Sequence, residues 1–127
     1  MNKKNDIFQC DICGSLVSVM KGGKGVLQCC GEKMIFLKPK TGDPASEKHI
    51  PFVADEKNGC FSVRTGKHLH PSVKAHYIGF IDAVFKNYVF RKFFYPGQRP
   101  EFYFEGIKRP VKFRSYCLIH GVFEYDV

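Results

Sequence analysis

Four cysteines lie within one short segment of the chain, two in the turn Cys10-Asp11-Ile12-Cys13 and two side by side as Cys29-Cys30. A segment of fewer than about 40 residues rarely buries enough apolar surface to fold without a metal, a disulfide or a partner chain. Four thiolates complete one tetrahedral site, which accepts either Zn or a single Fe. The pattern predicts a metal-clipped module over residues 1–36, with extended pieces at residues 7–8, 16–20 and 26–27.

The adjacent pair Cys29-Cys30 differs from the second C-x2-C of most zinc ribbons. Consecutive side chains of an extended chain point in opposite directions. Two neighbouring cysteines that bind one metal should therefore distort the backbone at this point. A purely structural zinc site is the alternative for this module, because the ligand type does not identify the metal.

Residues 37–46 contain two prolines and a glycine without apolar periodicity, which predicts a linker. Residues 47–127 should then form a second domain of seven short strands, and this number favours a β-sandwich. The turn pairs Asn58-Gly59, Lys86-Asn87 and Pro96-Gly97 separate some of these strands. The candidate strands cover residues 50–53, 60–64, 76–85, 88–95, 101–104, 111–116 and 122–125. The expected fold class is all-β.

The chain is basic, with 20 Lys and Arg against 12 Asp and Glu and a formal charge of +8, so it should attract anions. The basic residues are scattered and no nucleic-acid-binding motif is present, which does not favour nucleic acid as a partner. No apolar run approaches the ~20 residues of a membrane span, and no secretory signal is evident. We therefore expect a cytoplasmic protein, in which six cysteines are more typical of metal ligands than of disulfides.

A second candidate site centres on Cys117, which is followed three residues later by His120. With no other cysteine close to it in sequence, this thiolate must find further ligands in distant segments. The remaining histidines are His49, His68, His70 and His76. One sulfur with several imidazoles is more typical of a reactive metal centre than of a structural one.

The order of these motifs resembles that of the desulfoferrodoxins, the two-centre superoxide reductases. The motifs are Glu47-Lys48-His49, His70-Pro71-x4-His76 and Tyr116-Cys117-x2-His120-Gly121, preceded by Cys10, Cys13, Cys29 and Cys30. The resemblance covers the whole chain and implies a desulforedoxin-like Fe(Cys)4 module before an immunoglobulin-like catalytic sandwich. It also implies a second iron held by His49, His70, His76 and His120 in a plane, with Cys117 as the axial ligand.

The activity that the resemblance implies is one-electron reduction of superoxide to hydrogen peroxide at the second iron. Lys48 would draw superoxide towards the iron, and Glu47 would be the carboxylate able to occupy the ferric iron after peroxide has left. The electrons would come from a small acidic donor such as rubredoxin, and the chain would form a homodimer by pairing of its small modules. His68 matches no ligand position, and Tyr77 stands where many family members have Trp.

Two other functions remain open on the sequence. A zinc-ribbon-type module that binds nucleic acid or protein without catalysis would explain the clustered cysteines and the basic charge. An electron carrier or redox sensor would use only the four-cysteine iron. Neither function requires Cys117, whereas the reductase does.

Overall fold

The computed structural model describes residues 2–42, 48–56, 60–65, 70–105 and 108–127, without the side chains of residues 55 and 56. The chain divides into two compact units, Met1–Lys38 and Pro39–Val127. All regular structure in the described ranges is β, and the all-β prediction is confirmed. Among these residues no helix is long and apolar enough to cross a membrane.

The first unit consists of very short strands with little core. Strands β1 to β5 are Ile7–Gln9, Leu16–Ser18, Gln28–Cys29, Glu32–Lys33 and Ile35–Phe36. They form one antiparallel sheet in the order β2-β1-β5 and a separate β3-β4 pair. The extended piece expected at residues 26–27 is displaced to Gln28–Cys29. Only Ile7 and Cys10 are buried among the described residues of this unit, so apolar packing contributes little to its stability.

The described part of the second unit contains seven strands, the number that was predicted. Strands β6 to β12 are Pro51–Glu56, Cys60–Thr65, Ile78–Val84, Val89–Phe93, Glu101–Phe104, Lys112–Cys117 and Gly121–Asp126. They form a three-stranded sheet, β10-β7-β6, and a four-stranded sheet, β12-β11-β8-β9. Lys86-Asn87 and Pro96-Gly97 lie in turns between strands, whereas Asn58-Gly59 lies outside the described residues.

The core of this unit lies between its two sheets. Phe61 and Val63 on β7 and Phe104 on β10 share one buried cluster with Ile81 on β8 and Phe113 on β11. The Phe104 and Phe113 ring centroids are 5.5 Å apart, so side chains from the two sheets interdigitate. Period-two alternation of buried positions on β7 produces this arrangement, which is that of a β-sandwich.

Two glycines shape the end of the sandwich where β11 turns into β12. The pairing of β11 with β8 shifts between Tyr116 and Cys117, because Tyr116 pairs with Phe80 and Cys117 with Ile78. A Cβ on the skipped residue, Gly79, would lie 2.9 Å from the Tyr116 ring. Gly121 opens β12 with φ of 87°, in the left-handed region that favours glycine. A bulge of this kind re-aims the side chains beside it.

Part of the segment expected to be a linker pairs with the sandwich. Lys40 forms a parallel bridge with Phe123 on β12. The Lys40 amide donates to the Val122 carbonyl, and the Glu124 amide donates to the Lys40 carbonyl, both at 2.9 Å. The main chain at Lys40 therefore pairs with the outer edge of β12 and adds a one-residue bridge to the four-stranded sheet. Residues 43–47 of the segment lie outside the described residues.

Candidate metal centres

The second unit brings side chains from four segments together at one end of the sandwich. His49 immediately precedes the buried Ile50 and strand β6, and His70 and His76 lie between β7 and β8. Cys117 is the last residue of β11, and His120 lies in the turn to β12. Metal-ligating atoms of four of these residues lie within 4.8 Å of one another; they are His49, His70, His76 and Cys117.

The four imidazole rings form a closed ring of neighbours. Successive ring centroids are separated by 4.7 Å for His49–His70, 4.5 Å for His70–His76, 5.2 Å for His76–His120 and 4.5 Å for His120–His49. The opposite pair His49–His76 is 6.2 Å apart and closer to parallel, at 29°.

These separations distinguish two coordination geometries. Imidazoles bound at about 2.1 Å in a square would place neighbouring centroids about 4.5 Å apart and opposite centroids about 6.4 Å apart. A tetrahedron of four imidazoles would give about 5.2 Å for every pair. Three of the four neighbouring distances and the opposite distance fit the square better. These distances favour a square of imidazoles over a tetrahedron, and a metal held there would take the four histidines and the Cys117 thiolate as its ligands.

The Cys117 sulfur lies against two of the imidazoles. Its Sγ is 3.4 Å from His70 Nε2 and 3.6 Å from His120 Nδ1. A sulfur and a nitrogen bound to one metal would be about 3.1 Å apart at a right angle and about 3.6 Å apart at a tetrahedral angle, so both observed contacts are longer than a right angle would give. The Cys117 side chain is fully buried, so its thiolate would be shielded from water and oxidants.

The tautomer of His70 follows from its second ring nitrogen. A carbonyl can only accept, so His70 Nδ1 donates to the Pro71 carbonyl at 2.7 Å and Nε2 keeps its lone pair towards Cys117. Burial is the main cause that lowers the pKa of His70 to about 4, partly opposed by the hydrogen bond to Pro71. This imidazole is therefore neutral at pH 7, as metal ligation requires.

His76 gives a second sign that the site is built for a metal. Its Nε2 atom is buried and has no hydrogen-bond partner in the described part of the chain. Leaving a buried polar atom unsatisfied costs about 1–3 kcal/mol, which coordination to a metal would remove. The donor set, its spacing and this atom together fit a mononuclear metal centre.

Exposure changes across the second centre. Cys117 and His70 are buried, His49 and His76 are half-buried, and His120 is exposed. The sulfur therefore lies towards the interior of the sandwich, whereas the His120 side chain is accessible to solvent.

Of the two proposed catalytic residues, the structure describes Lys48 but not Glu47. Lys48 is exposed and directly precedes His49. Glu47 lies outside the described residues, as does His68. Tyr77, next to His76, is half-buried, and its carbonyl accepts a hydrogen bond from the Leu118 amide at 3.3 Å.

Two residues that support His49 were not anticipated from the sequence. The Ser115 hydroxyl donates to the His49 carbonyl, and the Phe123 ring stacks on the imidazole with centroids 4.7 Å apart and planes 17° apart. Ser115 is fully buried on a core strand. The sequence carries no distinct signal for Ser115, because β11 also carries Lys112 and Arg114; its burial in the structure is what requires a partner for the hydroxyl.

The first unit brings its four cysteines together in a separate cluster. The sulfurs of Cys10, Cys13, Cys29 and Cys30 lie within 4.8 Å of one another. The Sγ–Sγ distances are 3.6 Å for Cys13–Cys29 and 3.9 Å for Cys29–Cys30. The edge of a tetrahedron with metal–sulfur bonds of about 2.3 Å is about 3.8 Å. The cluster therefore has the size of a four-thiolate site.

The backbone distortion expected at the adjacent cysteines is present. Cys30 has φ of 54°, in the left-handed region that non-glycine residues rarely adopt, and Gly31 follows with φ of 74°. This reversal allows consecutive side chains to reach the same cluster. It also explains why a glycine follows the cysteine pair.

The proton affinities of these thiols show that they act on one another. Hydrogen bonds with Ser15 are the main cause that lowers the pKa of Cys13 to about 6. Hydrogen bonds with Cys10 and then Cys13 raise the pKa of Cys29 to about 12. One thiolate in the cluster thus keeps a neighbour protonated. Binding of a metal to all four sulfurs must therefore release protons.

The fold and the two donor sets define a two-centre metalloprotein with a β-sandwich domain. The family profile described as "Desulfoferrodoxin, N-terminal domain" matches residues 2–37, and the profile described as "Desulfoferrodoxin" matches residues 41–126. A desulfoferrodoxin from Syntrophotalea carbinolica is 37% identical over 126 residues, which cover 99% of each chain. The chain belongs to the desulfoferrodoxin family.

Solved structures with similar folds include superoxide reductases. The enzyme from Treponema pallidum has a TM-score of 0.77 at 21% identity and covers 98% of this chain and 99% of its own. A superoxide reductase termed 1Fe-SOR, from Giardia intestinalis, has a TM-score of 0.55 at 26% identity and covers 64% of this chain and 97% of its own. Family membership and the two donor sets confirm the expected pair of iron centres, Fe(Cys)4 and Fe(His)4(Cys).

Proposed function

We propose that this chain is a superoxide reductase, which takes one electron and two protons per superoxide and forms one hydrogen peroxide without releasing dioxygen. The observation that carries this proposal is the ring of four imidazoles in which the buried Cys117 sulfur contacts two of them. Iron held by these residues would supply the electron to superoxide. Relatives named superoxide reductases support the same activity.

The protein residues prepare the centre for an anionic substrate. Neutral imidazoles add no negative charge to the site, so one thiolate leaves the ferrous centre with a net positive charge. The Cys117 thiolate would raise the electron density of the metal, as axial cysteine does in haem enzymes. Lys48 would attract superoxide, and Glu47 would provide a carboxylate beside the site once peroxide has left. These are the catalytic roles that we assign to Lys48 and Glu47.

The electron donor that we propose is a small acidic redox protein such as rubredoxin, so that the chain takes part in electron transport. The formal charge of +8 supports this choice, because complementary charge accelerates encounter between two proteins. The rate of reduction by such a donor should fall steeply as salt is added. A rate that does not depend on ionic strength would contradict this proposal.

We also propose that the chain forms a homodimer through its small units and works in the cytoplasm. The first unit exposes several large apolar side chains for so small a core, including Ile12 at 62% and Met20 at 87%. A molecular mass measured in solution that equals one chain would contradict the dimer. The six free cysteines suit a reducing compartment, and disulfides in the protein isolated under anaerobic conditions would contradict it.

A pulse of superoxide on the fully ferrous protein tests the proposed activity. One equivalent of iron should be oxidised per superoxide, with one hydrogen peroxide formed and no dioxygen released. Release of dioxygen in equal amounts would indicate dismutation instead. A protein that contains only zinc and stays colourless after oxidation would favour the zinc-ribbon alternative, which gives the histidine cluster no role.

Replacing Lys48 with methionine should slow the bimolecular reaction with superoxide about tenfold at low salt, because a charge that attracts the anion is removed. The same pulse experiment measures this rate across a range of ionic strengths. Lys48→Arg keeps the charge and should retain most of the rate. Equal rates for Lys48→Met and the native protein would remove Lys48 from the catalytic set.

A further inference from the structure

Lys40 contacts the second centre from the edge of β12, although it lies outside every motif singled out in the sequence. Its ammonium donates to the His120 carbonyl at 2.8 Å. The same Nζ atom lies 5.2 Å from the centroid of the Phe123 ring. Its main chain is held by the two hydrogen bonds to β12, so the side chain starts from a fixed position at the edge of the sheet.

The first contact restrains the turn that carries two of the candidate ligands. Residues 118–120 form this turn and all three are exposed, so packing does not hold them. Cys117 starts the turn and His120 ends it. A hydrogen bond from an ammonium to a carbonyl is stronger than one between neutral groups, so it can fix the His120 backbone where core packing cannot.

The second contact reaches a neighbouring ligand through an aromatic ring. Phe123 is buried, its ring lies close to the Lys40 ammonium, and the His49 imidazole stacks on it at 4.7 Å. His49 and His120 are adjacent in the ring of imidazoles, with centroids 4.5 Å apart. Lys40 therefore contacts His120 directly and His49 through the Phe123 ring, and these two imidazoles are neighbours.

We propose that Lys40 is a positioning residue of the second metal centre, which fixes the His120 backbone directly and the His49 ring through Phe123. It touches neither the metal nor the substrate. The proposal rests on the Fe(His)4(Cys) centre but not on its reaction with superoxide. Iron retention and the visible spectrum can therefore test it even if the proposed activity proves wrong.

The experiment uses the full chain loaded with iron at both centres and compares Lys40→Met, Lys40→Arg and Lys38→Met. Lys38 is a matched control, since it is an exposed lysine two residues away whose amide donates to the Phe36 carbonyl. Iron loss from the reduced protein to a coloured ferrous chelator is followed at each centre, with the four-cysteine centre as an internal reference. The absorption band of the oxidised thiolate-bound iron is recorded in parallel.

Lys40→Met should accelerate iron loss from the second centre about 10–100-fold, the usual effect of removing a partner that orients a metal ligand. It should also shift the thiolate-to-iron band, which a general loss of stability would leave in place. Lys40→Arg should stay within about threefold of the native rate, because it keeps the charge and the donors. Lys38→Met should change neither measurement.

Three results would overturn the proposal. The first is an iron-loss rate and band position for Lys40→Met equal to those of Lys38→Met. The second is equal acceleration of iron loss from both centres, which would indicate a general effect. The third is a Lys40→Arg variant as defective as Lys40→Met, because the hydrogen bond to the His120 carbonyl would then not be what matters.

Discussion

Replacing Cys117 with serine should reduce the rate of superoxide reduction by more than the roughly 10–100-fold expected for loss of an outer partner of a metal ligand. The fully buried sulfur is 3.4 and 3.6 Å from two imidazole nitrogens, so no solvent molecule or nearby residue can readily replace it. A serine hydroxyl is a poorer electron donor than a thiolate. The loss should appear in the rate measured by pulsed superoxide, together with loss of the thiolate-to-iron absorption band.

Cys60→Ser is the matched control for this substitution. Cys60 lies on β7 in the same unit and is partly buried, but it belongs to neither cluster of metal-ligating side chains. It should retain the activity and both absorption bands. If Cys117→Ser keeps native activity, the function belongs to the four-cysteine iron, and the electron-carrier alternative gains support.

Replacing both Cys13 and Cys29 with serine should unfold the first unit and leave the sandwich folded. Only Ile7 and Cys10 are buried in the described part of that unit, and neither is changed by the double substitution. A structural metal in a comparably small module contributes about 10–16 kcal/mol, far more than such a core can. Amide hydrogen exchange should reach unfolded rates in β1, β2 and β5 while β8 and β11 remain protected.

Lys24→Ser controls for a substitution in the same unit, because Lys24 is exposed, carries no metal-ligating carboxylate, imidazole or thiol, and is not one of the exposed apolar side chains. Its exchange pattern should match that of the native protein. Persistent protection of β1 in the double cysteine variant, with iron absent from the first centre, would show that packing or dimerisation holds the unit instead.

The strands of the sandwich were predictable because each carries its own signal. Along β7, buried residues such as Phe61 and Val63 alternate with half-buried ones. Turn residues separate β8 from β9. The strands of the first unit were harder to predict. Its two-residue strands show no apolar alternation. β3 begins at Gln28 instead of residue 26 and includes Cys29 of the cysteine cluster. The Lys40 bridge has no local signal at all, since its partner is an edge more than 80 residues away.

The ligand candidates could be identified from motifs that resemble those of the desulfoferrodoxins, but the order of the imidazoles around the centre could not. Sequence order shows that His49, His70 and His76 accompany Cys117, yet it cannot show which imidazoles are neighbours and which are opposite. That information comes from three-dimensional placement, which depends on the bulge at Tyr116–Cys117 and on the turn ending at Gly121. Ser115 and Phe123 escaped attention because residues on core strands are usually explained by packing alone.

The way the two clusters are distributed along the chain has a consequence for biosynthesis. The four cysteines span residues 10–30, so this segment can capture iron as soon as it leaves the ribosome, and its folding then depends on that capture. The histidine cluster spans residues 49–120 and cannot assemble until β11 and β12 have been synthesised and paired. Iron loading is therefore expected to be sequential, and a cell short of iron should accumulate chains whose first centre is filled before the second.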